Sequence, residues 1–452
     1  MTSPLHPVRV LRVLGDRPFA EVGRPVLAVP DEARGLLAVA GERAFARTAT
    51  VGVYGTGDLG CRAVLRTRFP VHALAFHPTA PLLAVGTGAY DGGYFFEGEL
   101  LLLDWETGTT TSLIEHDFGR RVLGLAWLDD QALRVLMSPP DDWKDRKAHV
   151  EGHVAVVRRP DWRTAAPRSL TFDDLAGPRV PAPRADGREE AHRALSALSP
   201  DWEPRRHVLA VEERPDGAVL ATLAREEDDE EGDQDDAPEQ PGCTTLPDGL
   251  LLRHRTVPYL DVHDRLRIRR GSRDYVNQAP PPGRRETEPY VLSVRSPDGA
   301  APQPLFPFSW EPGETHFPGP GAETADGDLV YAGTVYSGHG LQPGGSFVVR
   351  RSGTDGTPRW VFRTDHVALD LDTDPDTAHV AYRDGELLAL DLRTGALRRR
   401  HRLTVAGVPV VPTALTATGA GRLLVGTADG RVLECTTGWP SGPGAADREG
   451  TV

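Results

Sequence analysis

Residues 98–108 read GELLLLDWETG, and residues 385–395 read GELLALDLRTG, identical at eight of eleven positions. A second register recurs as LLAVGT at 82–87 and LLVGT at 423–427, with LLAV at 36–39 and LVYAGT at 329–334 as weaker copies. The turn glycines Gly353, Gly395 and Gly438 fall 42 and 43 residues apart. Around these fragments the texture is constant. VHALAFHP, PLLAVGTG, GELLLLDWETG and TTTSLIEH follow one another as four short apolar runs separated by Gly, Pro, Asp or Thr, the pattern of consecutive strands and turns. Runs such as LLAV and LLLL lack strict alternation, which fits strands covered on both faces. Gly and Pro punctuate nearly every ten residues and would break a helical solenoid repeatedly.

A four-stranded blade takes about 40 to 45 residues, so the spacing predicts an all-β β-propeller of four-stranded blades. Six units stand out: 25–70, 71–117, 121–172, 324–364, 366–403 and 411–438. The remaining blade or two must lie in 188–310, where 250–252 and 290–294 read as strands. That gives seven blades, with eight as the alternative. The last unit lacks a fourth strand. VRVLRVL at 8–14 is expected to supply it, pairing near Arg431 to Cys435 and closing the ring, which would remove exposed sheet edges. On this reading residues 1–440 form one propeller, 224–242 a disordered acidic insertion and 441–452 a flexible tail.

The segments ALAFHP at 73–78, LLLLDWETG at 100–108 and LLALDLRTG at 387–395 make the chain resemble WD40-like and quinoprotein-like propellers, with Asp104 and Trp105 as a displaced Trp-Asp dipeptide. The Gly-His that usually opens a WD40 repeat is missing from most units. The resemblance covers about two thirds of the chain and implies the fold, hardly a function.

Composition narrows the class. The chain has 452 residues, 39% hydrophobic and 26% charged, with mean hydropathy −0.35 and no apolar run long enough to span a bilayer. Residues 1–13 lack the apolar core and cleavage site of a signal peptide, so a cytoplasmic protein without a membrane association, monomeric on its own, is expected. Cys61, Cys243 and Cys435 are widely spaced with no CxxC pair, which predicts reduced structural thiols. Of the net charge of −14, ten acidic residues and no basic ones lie in EEDDEEGDQDDAPE at 226–239, leaving −4 elsewhere. Lys144 and Lys147 are the only lysines, and the wealth of Arg, Gly, Ala and Pro suggests a GC-rich, bacterial type of coding sequence.

Motifs for catalysis fail. Neither lysine follows a glycine, so there is no phosphate-binding Gly-Lys-Ser/Thr loop. GTGDLG at 55–60 satisfies GxGxxG but runs into CRAVLRTRF, a strand and not a helix, so it reads as a hairpin turn. Asp117-Phe-Gly119 has no accompanying HRD loop, and no GxSxG elbow occurs. His149 and His153 flank Glu151, but Gly152 and the following VAVV argue for a loop and strand over a metal site. No catalytic residue, metal or cofactor is expected.

Four insertions fall between the second and third strands of inferred blades: 89–97 (AYDGGYFFE), 138–152 (SPPDDWKDRKAHVEG), 335–345 (VYSGHGLQPGG) and about 256–289. In a propeller these loops share one face. The candidate partner-binding residues are Tyr90, Tyr94, Phe95, Phe96, Trp143, Lys144, Lys147, Tyr336 and His339, because aromatics give contact area at low entropic cost. In the fourth insertion, Arg265-Leu-Arg-Ile-Arg269 alternates. Strand periodicity puts Arg265, Arg267 and Arg269 on one side, predicting a half-buried hairpin with an Arg-rich outer face, which the acidic tract could shield. The alternative for these loops is that they cover one another or plug the channel. A noncatalytic scaffold or recognition module binding another protein is therefore expected. The alternative is an enzyme or small-molecule sensor at a channel mouth; nucleic acid is disfavoured by the overall negative charge.

Overall fold

The computed structural model describes residues 8–42, 48–90, 96–115, 121–139, 147, 150–182, 186–225, 242–256, 266–280, 288–295, 299–336, 343–419 and 421–437. They form two compact units, residues 16–206 and residues 1–15 with 207–452.

The smaller unit contains three four-stranded sheets. The first is a meander of Pro25–Asp31, Leu36–Gly41, Ala49–Gly55 and Cys61–Thr67. The second is built from Val71–Phe76, Leu82–Thr87, Leu100–Asp104 and Thr110–Ser112, and the third from Val122–Trp127, Ala132–Met137, Glu151–Arg158 and Arg179–Pro181. The outer strand of the third thus lies beyond residue 172, past the expected boundary. First strands lie side by side: Pro25–Asp31 packs on Val71–Phe76, which packs on Val122–Trp127. Core residues sit between successive sheets, as Ala38, Val53, Leu83 and Leu103 do between the first two. This explains the unbroken apolar runs: Leu36–Gly41 and Leu82–Thr87 are second strands buried at every position, whereas the outer Cys61–Thr67 alternates.

The larger unit repeats the plan. Thr315–Glu323, Leu329–Tyr336, Ser346–Arg351 and Pro358–Thr364 form one sheet; Ala368–Thr373, Thr377–Tyr382, Glu386–Asp391 and Leu397–Arg402 form the next. Pro412–Gly419, Arg422–Thr427 and Val432–Thr436 follow, and the fourth strand of that sheet is Arg9–Leu14. Its register runs from Arg9 opposite Thr436 to Leu14 opposite Val432, the pairing expected from the sequence. Arg12 and the Gly15 amide both bond Asp248, each at 2.5 Å, fastening the strand's end.

A further four-stranded sheet of this unit departs from a meander. Val208–Glu213 and Val219–Arg225 are antiparallel, but Leu251–Thr256 pairs parallel to Val219–Arg225, and Thr244–Thr245 forms the edge. Residues 256–289 therefore do not join a second strand to a third within one blade, as the sequence reading had it. They leave the parallel strand at the end where Arg225 and Thr256 face each other. A three-stranded sheet of Tyr275–Gln278, Val291–Val294 and Gln303–Pro307 follows. First strands again lie side by side, in the order Thr315–Glu323, Ala368–Thr373, Pro412–Gly419 and Val208–Glu213.

The end of the quoted repeat, Asp104 to Gly108 and Asp391 to Gly395, forms the same turn in each unit. Asp104 Oδ1 accepts from the amides of Glu106 (3.0 Å) and Thr107 (2.9 Å); Asp391 Oδ1 accepts from Arg393 (3.1 Å) and Thr394 (2.7 Å). Both turns end in a glycine at φ 72°, Gly108 and Gly395, a conformation that a Cβ disfavours. In the third copy Ser352 replaces the aspartate and Gly356, at φ 69°, closes the turn. Gly356, and not Gly353, is thus the counterpart of Gly395. The 55–60 motif is a hairpin turn, as expected, with Asp58 accepting from the Gly60 amide at 3.0 Å.

Side chains pin one sheet to the next. Arg34 donates to the carbonyls of His77 (2.7 Å) and Ala80 (2.8 Å). His77 Nδ1 accepts from the amides of Thr79 and Ala80, so Nε2 carries the proton and donates to the Asp130 carbonyl at 2.9 Å. In the larger unit the Trp360 indole and Arg350 converge on the Leu392 carbonyl.

Candidate partner-binding face

In the smaller unit, the turn after Leu82–Thr87 carries a two-residue hairpin, Ala89–Tyr90 with Phe96–Glu97. Tyr90 is 40% exposed, and its ring lies 5.5 Å from that of Phe96. Phe96 is fully buried, with the Arg121 guanidinium 5.4 Å from its centroid. Of this pair Tyr90 offers surface and Phe96 supports it, which corrects the reading of Phe96 as a contact residue. A Cβ on Gly86 would strike Val122, itself paired with Met137, so the ends of Leu82–Thr87 and Ala132–Met137 share one side. There Ser138 is buried and Val150 is 57% exposed. The Val150 amide donates to the Lys147 carbonyl at 3.0 Å. His153 bonds the Gly177 carbonyl at 2.9 Å from within a strand. Tyr94, Phe95, Trp143, Lys144, His149 and the Asp117–Gly119 motif lie outside the described residues.

In the larger unit the corresponding end of Leu329–Tyr336 faces Thr315. His339, Arg265, the Tyr336 side chain and the acidic tract lie outside the described residues. What the sequence reading missed there is a charged relay. Arg363 donates to Glu314 at 2.8 Å, and Glu314 accepts at 2.8 Å from Nε2 of the fully buried His316. The imidazole sits against the Trp310 and Phe347 rings, 4.1 and 5.2 Å away. Burial pushes His316 below its ordinary range, partly offset by Glu314. Burial alone would raise the Glu314 carboxyl, but hydrogen bonds from Arg363 and His316 outweigh it and leave it low. The signal in the sequence was Glu-x-His at strand spacing, which puts both side chains on one side.

The arginine segment is placed differently from expectation. The alternation holds: Leu266 and Ile268 turn to the apolar cluster of Tyr290, Phe308 and Tyr331. The opposite side is half-buried, not a free outer face. Arg267–Arg269 adds to the edge of Thr315–Glu323 as a parallel strand, Arg267 opposite Pro320 and Arg269 opposite Ala322. Arg267 donates to the carbonyls of Leu209 and Leu369, both at 3.2 Å. Arg269 forms an ion pair with Asp370 at 2.6 Å and bonds Thr416 Oγ1 at 2.9 Å. Arg270, at φ 54°, pairs with Asp372 at 3.0 Å. Arg267 and Arg269 thus reach partners on neighbouring strands of the unit and are half-buried there, where the sequence reading had an Arg-rich outer face.

Among the described residues no group of three or more His, Cys, Asp or Glu could hold a metal ion, and no helix is long and apolar enough to cross a membrane.

No family model matches the chain, and no curated protein matches it. Among solved structures it is similar to the β-propeller domain of Cps50 (Swd1) from Myceliophteria thermophila, at 9% identity over 95% of this chain and 99% of that one, with a TM-score of 0.27. The class is set by the chain's own sheets: an all-β protein of successive four-stranded sheets.

Proposed function

We propose that the chain is a WD40-like propeller of seven blades that acts as a noncatalytic scaffold, engaging another protein through the loops that follow the second strands. Six four-stranded sheets, a seventh of four meander strands with Arg267–Arg269 added at its edge, and first strands that adjoin within each unit support the blade count. The observation that carries the binding reading is Tyr90, an exposed aromatic held in place by a buried Phe96, the arrangement of a contact residue whose rotamer is fixed before binding. The enzyme or sensor reading has less support, because residues 266–270 occupy the inner strands of the larger unit where such a site would open.

The test is affinity capture with the wild-type chain followed by cross-linking mass spectrometry. Cross-links from the partner should map to residues 88–99, 138–150 and 336–345, and Tyr90→Ala should weaken capture at least tenfold while the melting temperature holds. Cross-links confined to the opposite strand ends, or capture indifferent to Tyr90, would overturn the reading.

A further inference from the structure

In the larger unit an extended segment of the chain itself lies along the edge of Thr315–Glu323 and against Asp370 and Asp372. Residues 266–270 have the features of such a ligand: a strand added to a sheet edge through its backbone, with alternate side chains entering separate seats. Asp370 and Asp372 are the acidic seats, with side chains only 1% exposed. Each is oriented by the neighbouring first strand, Asp370 accepting from the Leu415 amide at 2.7 Å and Asp372 from the Ala417 amide at 2.8 Å. Their spacing in ALDLDT places both on one side of the strand. The apolar seat is at Gly321, where a Cβ would come within 2.9 Å of Ile268, so the missing side chain makes the room that Ile268 uses.

Two buried carboxylates without guanidinium partners would be costly, because each would keep its charge away from water. The surface therefore requires a cation-bearing occupant, and planar donors satisfy carboxylate and carbonyl together better than an ammonium does. Arg269 does this, reaching Asp370, Thr416 and the Leu415 carbonyl at once. The fit is incomplete: Asp370 Oδ1 and Arg267 Nε are buried without a hydrogen-bond partner.

We propose that this surface is a binding groove for an extended basic segment of the pattern Arg-aliphatic-Arg-Arg, and that residues 267–270 hold it closed as an intramolecular pseudo-ligand. A partner carrying such a segment competes for Asp370, Asp372 and the edge of Thr315–Glu323. This site is separate from the loop face and stands or falls independently of it.

The probe is a fluorescent peptide of residues 264–273, DRLRIRRGSR, measured by anisotropy. The full-length Arg269→Gln, Arg270→Gln variant should bind it at least tenfold more tightly than the wild type does. Adding Asp370→Asn and Asp372→Asn should return the affinity to the wild-type level, and a peptide with lysine in place of each arginine should bind at least tenfold more weakly. A folded double variant that binds no more tightly than the wild type, or that ignores the Asp→Asn changes, overturns the proposal. Should the double variant not melt cooperatively, Arg270→Gln alone serves, since that guanidinium is about half exposed. An arm without substitutions uses the wild-type chain. Millimolar peptide should speed backbone hydrogen exchange in Arg267–Arg269 at least threefold, and unchanged exchange in that arm counts against the groove.

Discussion

Gly395 lies against Trp360: a Cβ built on the glycine would come within 2.6 Å of indole Cδ2 and 2.7 Å of Cε3. Its counterpart Gly108 closes the same turn at the same φ with nothing within 4 Å. The two glycines separate conformational strain from overlap. Gly108→Ala should cost about 1–2 kcal/mol, the penalty of a left-handed L-residue. Gly395→Ala should cost that plus about 1–3 kcal/mol for displacing a packed ring. Chemical denaturation of both variants measures the difference, and equal losses would mean that the indole yields freely.

Leu14 and Leu11 test the pairing of Arg9–Leu14 with Val432–Thr436. Leu14 is buried with Val208, Leu424 and Val432, while Leu11 falls at the register shift between Val10 and Arg12 and is 60% exposed. Leu14→Ala should lose about 2–5 kcal/mol, Leu11→Ala less than about 0.5 kcal/mol. Deleting residues 1–15 should lower the melting temperature by more than either. A deletion that melts like the full chain would show the strand to be dispensable.

Phe96 and Tyr90 should also part company. Phe96→Ala removes a fully buried ring and should cost about 3–5 kcal/mol; Tyr90→Ala, at an exposed site, should stay near 1 kcal/mol or below. Thermal melts of the two single variants decide it.

How much of this was legible in the sequence depended on how local the cause was. The second strands were readable because burial on both faces writes itself as LLAV and LLVG. The Asp104 and Asp391 turns were readable because their hydrogen bonds close within four residues. The turn at Ser352 was misread by three positions, since SGTDG offers two glycines and an aspartate, and only the backbone shows that Ser352 takes the capping role. The alternation of Leu266 to Arg269 was legible too. Which side met solvent was not, because the carboxylates that receive Arg269 and Arg270 lie about a hundred residues further on. Likewise, nothing local tells Tyr90 from Phe96 in a loop without a periodic pattern.

The three thiols should differ in reactivity. Burial pushes Cys435 up to about 12, with Glu434 adding to the effect, so at pH 8 it is almost wholly protonated as well as inaccessible. Cys243 is exposed and Cys61 partly so. Titration of the native protein with a thiol reagent at pH 8 should modify Cys243 first and Cys61 more slowly, with Cys435 reacting only in denaturant. Rapid native modification of Cys435 would contradict the packing of its sheet.

His316 should make the larger unit acid-sensitive. Its folded pKa is depressed by burial, so its neutral form contributes stability above the unfolded value of about 6.5. That contribution falls as pH drops below about 6.5 towards the folded pKa, by at most about 1.4 kcal/mol per pH unit. Denaturation between pH 7.5 and 5 should show the decline, and His316→Gln should flatten it. An unchanged slope in that variant would assign the titration elsewhere.

The register that sets Arg9 opposite Thr436 also fixes how the molecule meets a mechanical load. The two strands are antiparallel, and the residues through which tension would enter from either side sit across from each other at the same end of the ladder. Pulling them apart opens the cross-strand hydrogen bonds one after another, like a zipper, and never loads them together in shear. A tether attached on both sides of this sheet would therefore peel it at low force, however slowly the protein unfolds in the absence of tension.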